Sequence, residues 1–309
     1  MPSDRVELVR PGNVHLVVHR WTPAADIPVV GGILVVHGLA EHGARYARFA
    51  ADANARGYVV YAPDHRGHGQ TAARDEDVGH FGDRDGWQAV VADLAAVAAA
   101  GRDAYPDVPW FLLGHSMGTT LSLHLLAEAG PRFRAVVLSA PPGFVGPIRH
   151  VGALVTRLER WRLGRRGKSW LLDKMSFGDF NKAFAPARTA FDWLSRDPDE
   201  VDHYVADPRC GFLVTNQHWL DHLAAIEAYH HAPLLARLPK DVPLSILAGD
   251  ADPVSQGGRQ IKPFLAALRV AGLKQATFKA YAGARHEILN ETNRAEVTAD
   301  VLGHFDAAR

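Results

Sequence analysis

The residues best suited to chemistry are Gly114-His115-Ser116-Met117-Gly118. They follow the apolar run Trp110 to Leu113 and precede a helix-like stretch from Thr119 to Glu128. A strand that reverses into a helix between two glycines holds the serine hydroxyl out in a strained position, suited to attack on a carbonyl. A hydroxyl is a poor nucleophile near neutral pH, so it needs a base, and the base needs an orienting carboxylate. Of the 17 histidines, His286 stands out by position. It follows the last predicted strand and the loop Ala282-Gly283-Ala284-Arg285, and it precedes the last helix. The carboxylate candidates are Asp250 and Asp252, just beyond the run Leu244 to Ala248; spacing alone leaves both open. An acyl-transfer site also needs donors for a tetrahedral oxyanion. The backbone N–H of Met117 is one, and that of Leu39, in His37-Gly38-Leu39-Ala40-Glu41-His42, is the other.

Positioning these groups requires a particular scaffold. Val14 to Trp21, Gly31 to His37, Tyr58 to Tyr61, Trp110 to Leu113, Ala135 to Leu138, Leu244 to Ala248 and Ala276 to Tyr281 read as strands. Tyr46 to Arg56, Trp87 to Tyr105, Met117 to Glu128, Arg259 to Ala271 and Ala295 to His304 read as helices. Continuous apolar strands alternating with helices predict an α/β fold, a mostly parallel sheet covered on both faces, with its site at the carboxyl ends of the strands. Ser116, Leu39, Asp252 and His286 all fall just after predicted strands. The alternation breaks between about Gly143 and His231, where helical pieces rich in aromatics replace it. The expected organisation is therefore a core of residues 1–142 and 232–309, with residues 143–231 inserted as a helical lid. A second layer of core packing is the alternative for that segment.

Bulk composition narrows the partners. The chain has 309 residues, 47% of them apolar, and its 34 basic and 34 acidic residues balance. A nucleic-acid binder normally carries a basic excess or a basic face, so none is expected here. The single cysteine, Cys210, allows no intrachain disulfide. No run approaches the roughly 20 apolar residues of a membrane span, and Met1 to Gly12 lacks the apolar core of a signal peptide. The expected location is the cytoplasm. His37, His42, His65, His68 and His80 are spread over loops without the close paired spacing of zinc ligands, so they are read as loop-shaping residues and no metal is expected. No organic cofactor is implied either.

Taken together, His37-Gly38 with Glu41-His42 and Arg45-Tyr46, Asp64-His65-Arg66-Gly67-His68-Gly69, the Ser116 pentapeptide, Gly249 to Val254 and His286 to Glu291 resemble the monoacylglycerol lipase and lysophospholipase group of α/β-hydrolases. The resemblance spans essentially the whole core. It implies an α/β-hydrolase fold with a serine carboxylic-ester hydrolase activity on lipid-like esters. It makes Ser116 the nucleophile, Asp252 rather than Asp250 the acid, and His286 the base, with Leu39 and Met117 as oxyanion donors. One departure is Thr119, where relatives commonly carry glycine, which should alter only the packing behind the serine. Another is Leu39, bulkier than the residue of some relatives and expected to narrow the pocket.

The ligand is expected to be a small-molecule ester carrying one acyl chain. Leu39, His115, Cys210 and Val254 are expected to line its pocket, with a buried structural role as the alternative for Cys210. Ile148, Val151, Leu154, Val155, Leu158 and Trp161 recur at helical spacing among Arg149, Arg157, Arg160, Arg162, Arg165, Arg166 and Lys168. Such a helix either lies on an anionic membrane surface or packs its apolar stripe on the core; the sequence leaves both open, and the oligomeric state with them. Two rival functions remain. An aminopeptidase would hold a free amine with carboxylates such as Asp192, Asp197, Asp199, Glu200 and Asp202. A non-catalytic ligand-binding protein would have little reason to keep all three of Ser116, Asp252 and His286.

Overall fold

The computed structural model describes residues 3–128, 133–142, 148–229 and 232–309. An eight-stranded sheet runs through them, built from β1 (Asp4–Arg10), β2 (Val14–Trp21), β3 (Gly31–Val36), β4 (Tyr58–Pro63), β5 (Trp110–His115), β6 (Val136–Ser139), β7 (Leu244–Gly249) and β8 (Thr277–Tyr281). Its spatial order is β1-β2-β4-β3-β5-β6-β7-β8. β1 and β2 pair antiparallel, β2 meets β4 antiparallel, and every later pairing is parallel. The strands β3 to β7 are buried from end to end. That burial is why they read as unbroken apolar runs rather than alternating ones.

Helices cover both faces: α1 (Ala47–Ala55), α2 (Gly86–Ala104) and α3 (Met117–Ala127) in the first half. Between β6 and β7 come α4 (Ile148–Leu163), α5 (Trp170–Phe177), α6 (Pro198–Ala206), α7 (Asn216–Tyr229) and α8 (Ala232–Arg237). After β7 lie α9 (Ile261–Val270) and α10 (Arg294–Asp306). Two large apolar clusters sandwich the sheet. One gathers α2, α3 and α9 around Trp87, Leu121 and Phe264, and the other gathers α1 and α10 around Phe49 and Phe305.

One sequence expectation changes. β1 was not anticipated, because Asp4-Arg5-Val6-Glu7 alternates charge with apolar residues and the strand is a half-exposed edge. The boundaries expected at residues 143 and 231 lie outside the described residues. Among the described residues between β6 and β7, extended pairing is limited to the single bridge Lys168 to Thr215, in keeping with an all-helical reading. No helix among the described residues is long and apolar enough to cross a membrane.

Candidate active site

Ser116 sits between β5 and α3 with φ +49°, a conformation an L-residue adopts only when its surroundings enforce it. The flanking glycines explain the enforcement. A Cβ on Gly118 would stand 2.0 Å from the carbonyl oxygen of Val36, and one on Gly114 would stand 2.5 Å from Ser122 Oγ. The turn can thus close only where both positions lack a side chain. Thr119 Oγ1 donates to the Ser116 carbonyl at 2.6 Å, so the hydroxyl that replaces a glycine there braces the turn.

A hydrogen-bonded chain crosses the carboxyl ends of the strands. His286 Nε2 lies 2.9 Å from Ser116 Oγ, and His286 Nδ1 lies 3.0 Å from Asp252 Oδ1. Asp252 and His286 are almost wholly buried, while Ser116 is partly exposed. Asp250, the alternative acid, is exposed and accepts from the Gly283 amide at 2.6 Å, bracing the loop before His286. Burial alone would lower the His286 pKa, but the Asp252 carboxylate facing Nδ1 overrides it and raises the value above that of an ordinary imidazole.

Leu39 and Met117 both lie at this centre. The Met117 amide opens α3 and has no intrahelical acceptor. The loop that carries Leu39 is held from several sides. The Gly38 amide donates to Glu41 Oε1 at 2.6 Å, and the Ala40 amide donates to His68 Nε2 at 3.3 Å. The His65 amide donates to His37 Nε2 at 3.0 Å, and the His37 and His65 rings stack at 3.8 Å. Burial drives the pKa values of all three histidines down, to about 3 for His65 and about 4 for His68. These imidazoles are therefore neutral, and both nitrogens of His37 and His68, with Nε2 of His65, hydrogen-bond the loop backbone.

The expected pocket residues separate into three places. Val254 donates its amide to Asp252 Oδ1 at 2.9 Å, so it steadies the acid as well as flanking it. Cys210 and Val254 pack against the cluster of Trp193, Leu194 and Tyr204. His115 is buried on the other hand against Ser139 Oγ, its ring 5.0 Å from that of His286, and it lines a polar cleft with Glu41, Arg45, Glu287 and Asn290. Leu39 packs with Leu172, Val214, Trp219, Val155, Phe177 and Phe212, an apolar patch supplied by the helices between β6 and β7.

Sequence reasoning missed two supports. Arg45 bridges Glu41 at 2.8 Å and grips Glu287 with two bonds of 2.6 and 2.7 Å, tying the Leu39 loop to the residue after His286. Burial opposes ionisation of Glu287, yet the Arg45 guanidinium holds it down at about 2. The second support comes from Trp193 and Leu194, whose carbonyls accept from the His286 and Glu287 amides, with the Trp193 ring 5.2 Å from His286. The clustering of aromatics was visible in the sequence, but not which of them reaches the base.

A serine on a strand-to-helix elbow, linked through histidine to aspartate at the carboxyl ends of a mostly parallel sheet, defines the α/β-hydrolase class. Within it, the chain belongs to the family described as serine aminopeptidase, S33, whose profile matches residues 28–293. The monoglyceride lipase of Mus musculus is 30% identical over 303 residues, covering 97% of this chain and 88% of that one. The monoacylglycerol lipase of Mycolicibacterium smegmatis is 30% identical over 312 residues, covering 94% and 92%. Among solved structures, a thermostable carboxyl esterase from Bacillus coagulans in complex with glycerol superposes with a TM-score of 0.90 at 26% identity, covering 100% of this chain and 99% of that one.

Proposed function

We propose that this chain is a serine carboxylic-ester hydrolase that cleaves lipid-like esters, of the monoacylglycerol or lysophospholipid kind, through an acyl-enzyme. The observation that carries the reading is the unbroken chain from Ser116 Oγ through His286 to Asp252. The relatives named monoglyceride and monoacylglycerol lipase support the substrate class. In the first half-reaction His286 Nε2 takes the Ser116 proton as Oγ attacks the ester carbonyl. Asp252 holds Nδ1–H in the required tautomer and stabilises the imidazolium. The Leu39 and Met117 amides receive the oxyanion, each such donor being worth about 10²–10³ in rate. His286 then protonates the leaving alcohol. In the second half it deprotonates water, which attacks the acyl-serine and frees the acid.

The helices between β6 and β7 act in this reading as a cap. Their apolar patch over Leu39 receives the acyl chain. On α4 the apolar stripe points outward, with Val151, Leu154, Leu158 and Trp161 exposed beside Arg157 and Arg162. An outward stripe flanked by cations favours contact with an anionic membrane surface over packing on the core. In this reading the enzyme draws its substrate from a membrane face.

Four of the five carboxylates that an amine site could use already have partners. Asp192 is engaged by Thr189 and the Arg188 amide, Asp197 by Arg294, Glu200 by Arg48 and Asp202 by Arg188. A fluorophosphonate probe should label the wild type and fail to label Ser116→Ala; a folded, unlabelled wild type defeats the enzyme claim. Rates on p-nitrophenyl esters from acetate to palmitate should favour long chains, and activity confined to acetate would sink the lipid reading.

A further inference from the structure

We propose that His42, Asp207 and Cys210 form a binding site for one divalent cation of the zinc class. One ligand atom from each, a nitrogen, an oxygen and a sulfur, all lie within 4.8 Å of one another. His42 Nε2 and Asp207 Oδ2 are already 2.9 Å apart. In a tetrahedral zinc shell, with bonds of about 2.0–2.3 Å, ligand atoms stand roughly 3.3–3.8 Å apart, so small side-chain shifts complete the set. A mixed nitrogen, oxygen and sulfur set suits zinc and its neighbours, whereas magnesium and calcium prefer oxygen alone. Water takes the fourth position.

Access and charge agree with this assignment. His42 is buried, but the Asp207 side chain keeps 27% of its surface exposed and Cys210 is half-buried, so the site opens to solvent on one side. Asp207, Glu41 and Glu287 all bear on Cys210, against the guanidiniums of Arg45 and of Arg209, which lies 3.7 Å from Asp207 Oδ1, so the surroundings stay net negative by one carboxylate. On binding, the Cys210 thiol gives its proton to solvent and the sulfur becomes a thiolate ligand. His42, whose Nε2–H donates to Asp207 Oδ2 in the ion-free protein, gives up that hydrogen bond and carries its proton on Nδ1 instead, so that Nε2 is free to bind the ion. About one proton is therefore released per ion.

The site joins two functional segments. His42 closes the loop that carries Leu39, and Asp207 ends α6, whose following turn donates the Gly211 amide to the Ala40 carbonyl at 2.9 Å. A bound ion would staple the loop to the segment between β6 and β7. The 165 positions separating His42 from Asp207 kept the cluster out of any sequence motif.

Calorimetric titration of the full chain with zinc, and spectroscopic titration with cobalt, test the proposal without reference to ester hydrolysis. One zinc per chain is expected, with a near-ultraviolet thiolate-to-cobalt charge-transfer band. Cys210→Ser and Asp207→Asn should each weaken zinc binding at least about tenfold. Cys210→Ser exchanges only sulfur for oxygen, so it keeps the test decisive if Asp207→Asn unfolds. Absence of zinc binding by the wild type, cobalt binding without the band, or equal zinc affinity in wild type and Cys210→Ser overturns the site.

Discussion

His286 is a deeply buried imidazole whose pKa lies above the usual value, and the cause is a single carboxylate 3.0 Å from Nδ1. The base must be neutral to accept the Ser116 proton, so activity is lost as pH falls through this raised value. The acid limb of kcat/KM should therefore lie above pH ~6.5, the ordinary imidazole position. Replacing Asp252 by Asn removes the charge and favours the wrong tautomer. Asp252→Asn should lower kcat by about 10⁴ and move the acid limb downward. A pH–rate profile of the two proteins checks both effects, and an unmoved limb would show that Asp252 does not set the base. Ser116, His286 and Leu39 were legible from the sequence because each ends a strand in a short loop. Asp252 was not separable from Asp250 by spacing, since both follow β7. Only the folded turn shows Asp250 at the surface on the Gly283 amide and Asp252 under His286.

At the scale of elements, legibility follows burial. Strands β3 to β7 are covered on both faces, so their sequences are apolar throughout and their positions follow directly. Strand β1 shows the opposite case, because an exposed edge imposes no such pattern. Helix α4 shows a third. Its periodicity revealed an apolar stripe but not which way the stripe faces, because the core contact is made by Val155 with the buried Thr156 and Glu159. Glu159 is held inside by Ser169 and Arg162. With that contact satisfied, Leu158 and Trp161 are left outside, Trp161 at 87% exposure. The double change Leu158→Asp and Trp161→Ala should cut partitioning onto anionic phospholipid vesicles several-fold, while hydrolysis of a soluble short-chain ester stays near wild type. Raising the salt concentration should weaken wild-type partitioning as well. Co-sedimentation measures both; partitioning equal to wild type in the double variant would remove α4 from the membrane contact.

For the whole molecule, the unusual burden is buried histidine. His37, His65, His68, His218 and His222 are held below the ordinary imidazole value, in each case chiefly because burial disfavours the charged ring, with His65 at about 3 and His68 and His222 at about 4. The folded chain keeps these rings neutral at pH 5, whereas in the unfolded chain they protonate near pH ~6.5. Below that point the unfolded state binds more protons, so stability rises with pH across the window from about 4 to about 6.5 and is lost as pH falls through it. Each ring contributes about 1 kcal/mol per pH unit inside the window. His286 has the opposite sign, since its raised value favours the folded state as it protonates, but it is one ring against several. The urea midpoint should therefore drop steeply between pH 7 and 5, with uptake of several protons on unfolding. Between pH 7 and 5 carboxylates contribute little to this drop, because unfolded Asp and Glu titrate near pH ~3.9 and ~4.3. His218→Leu removes a ring whose two nitrogens have no partner among the described residues. It should flatten the pH dependence by about one proton. Reversible loss of activity with an intact near-ultraviolet spectrum reports protonation of His286, whereas loss with unfolding reports the buried set. A midpoint that does not change between pH 7 and 5 would mean that these histidines are hydrated or already charged in the folded chain.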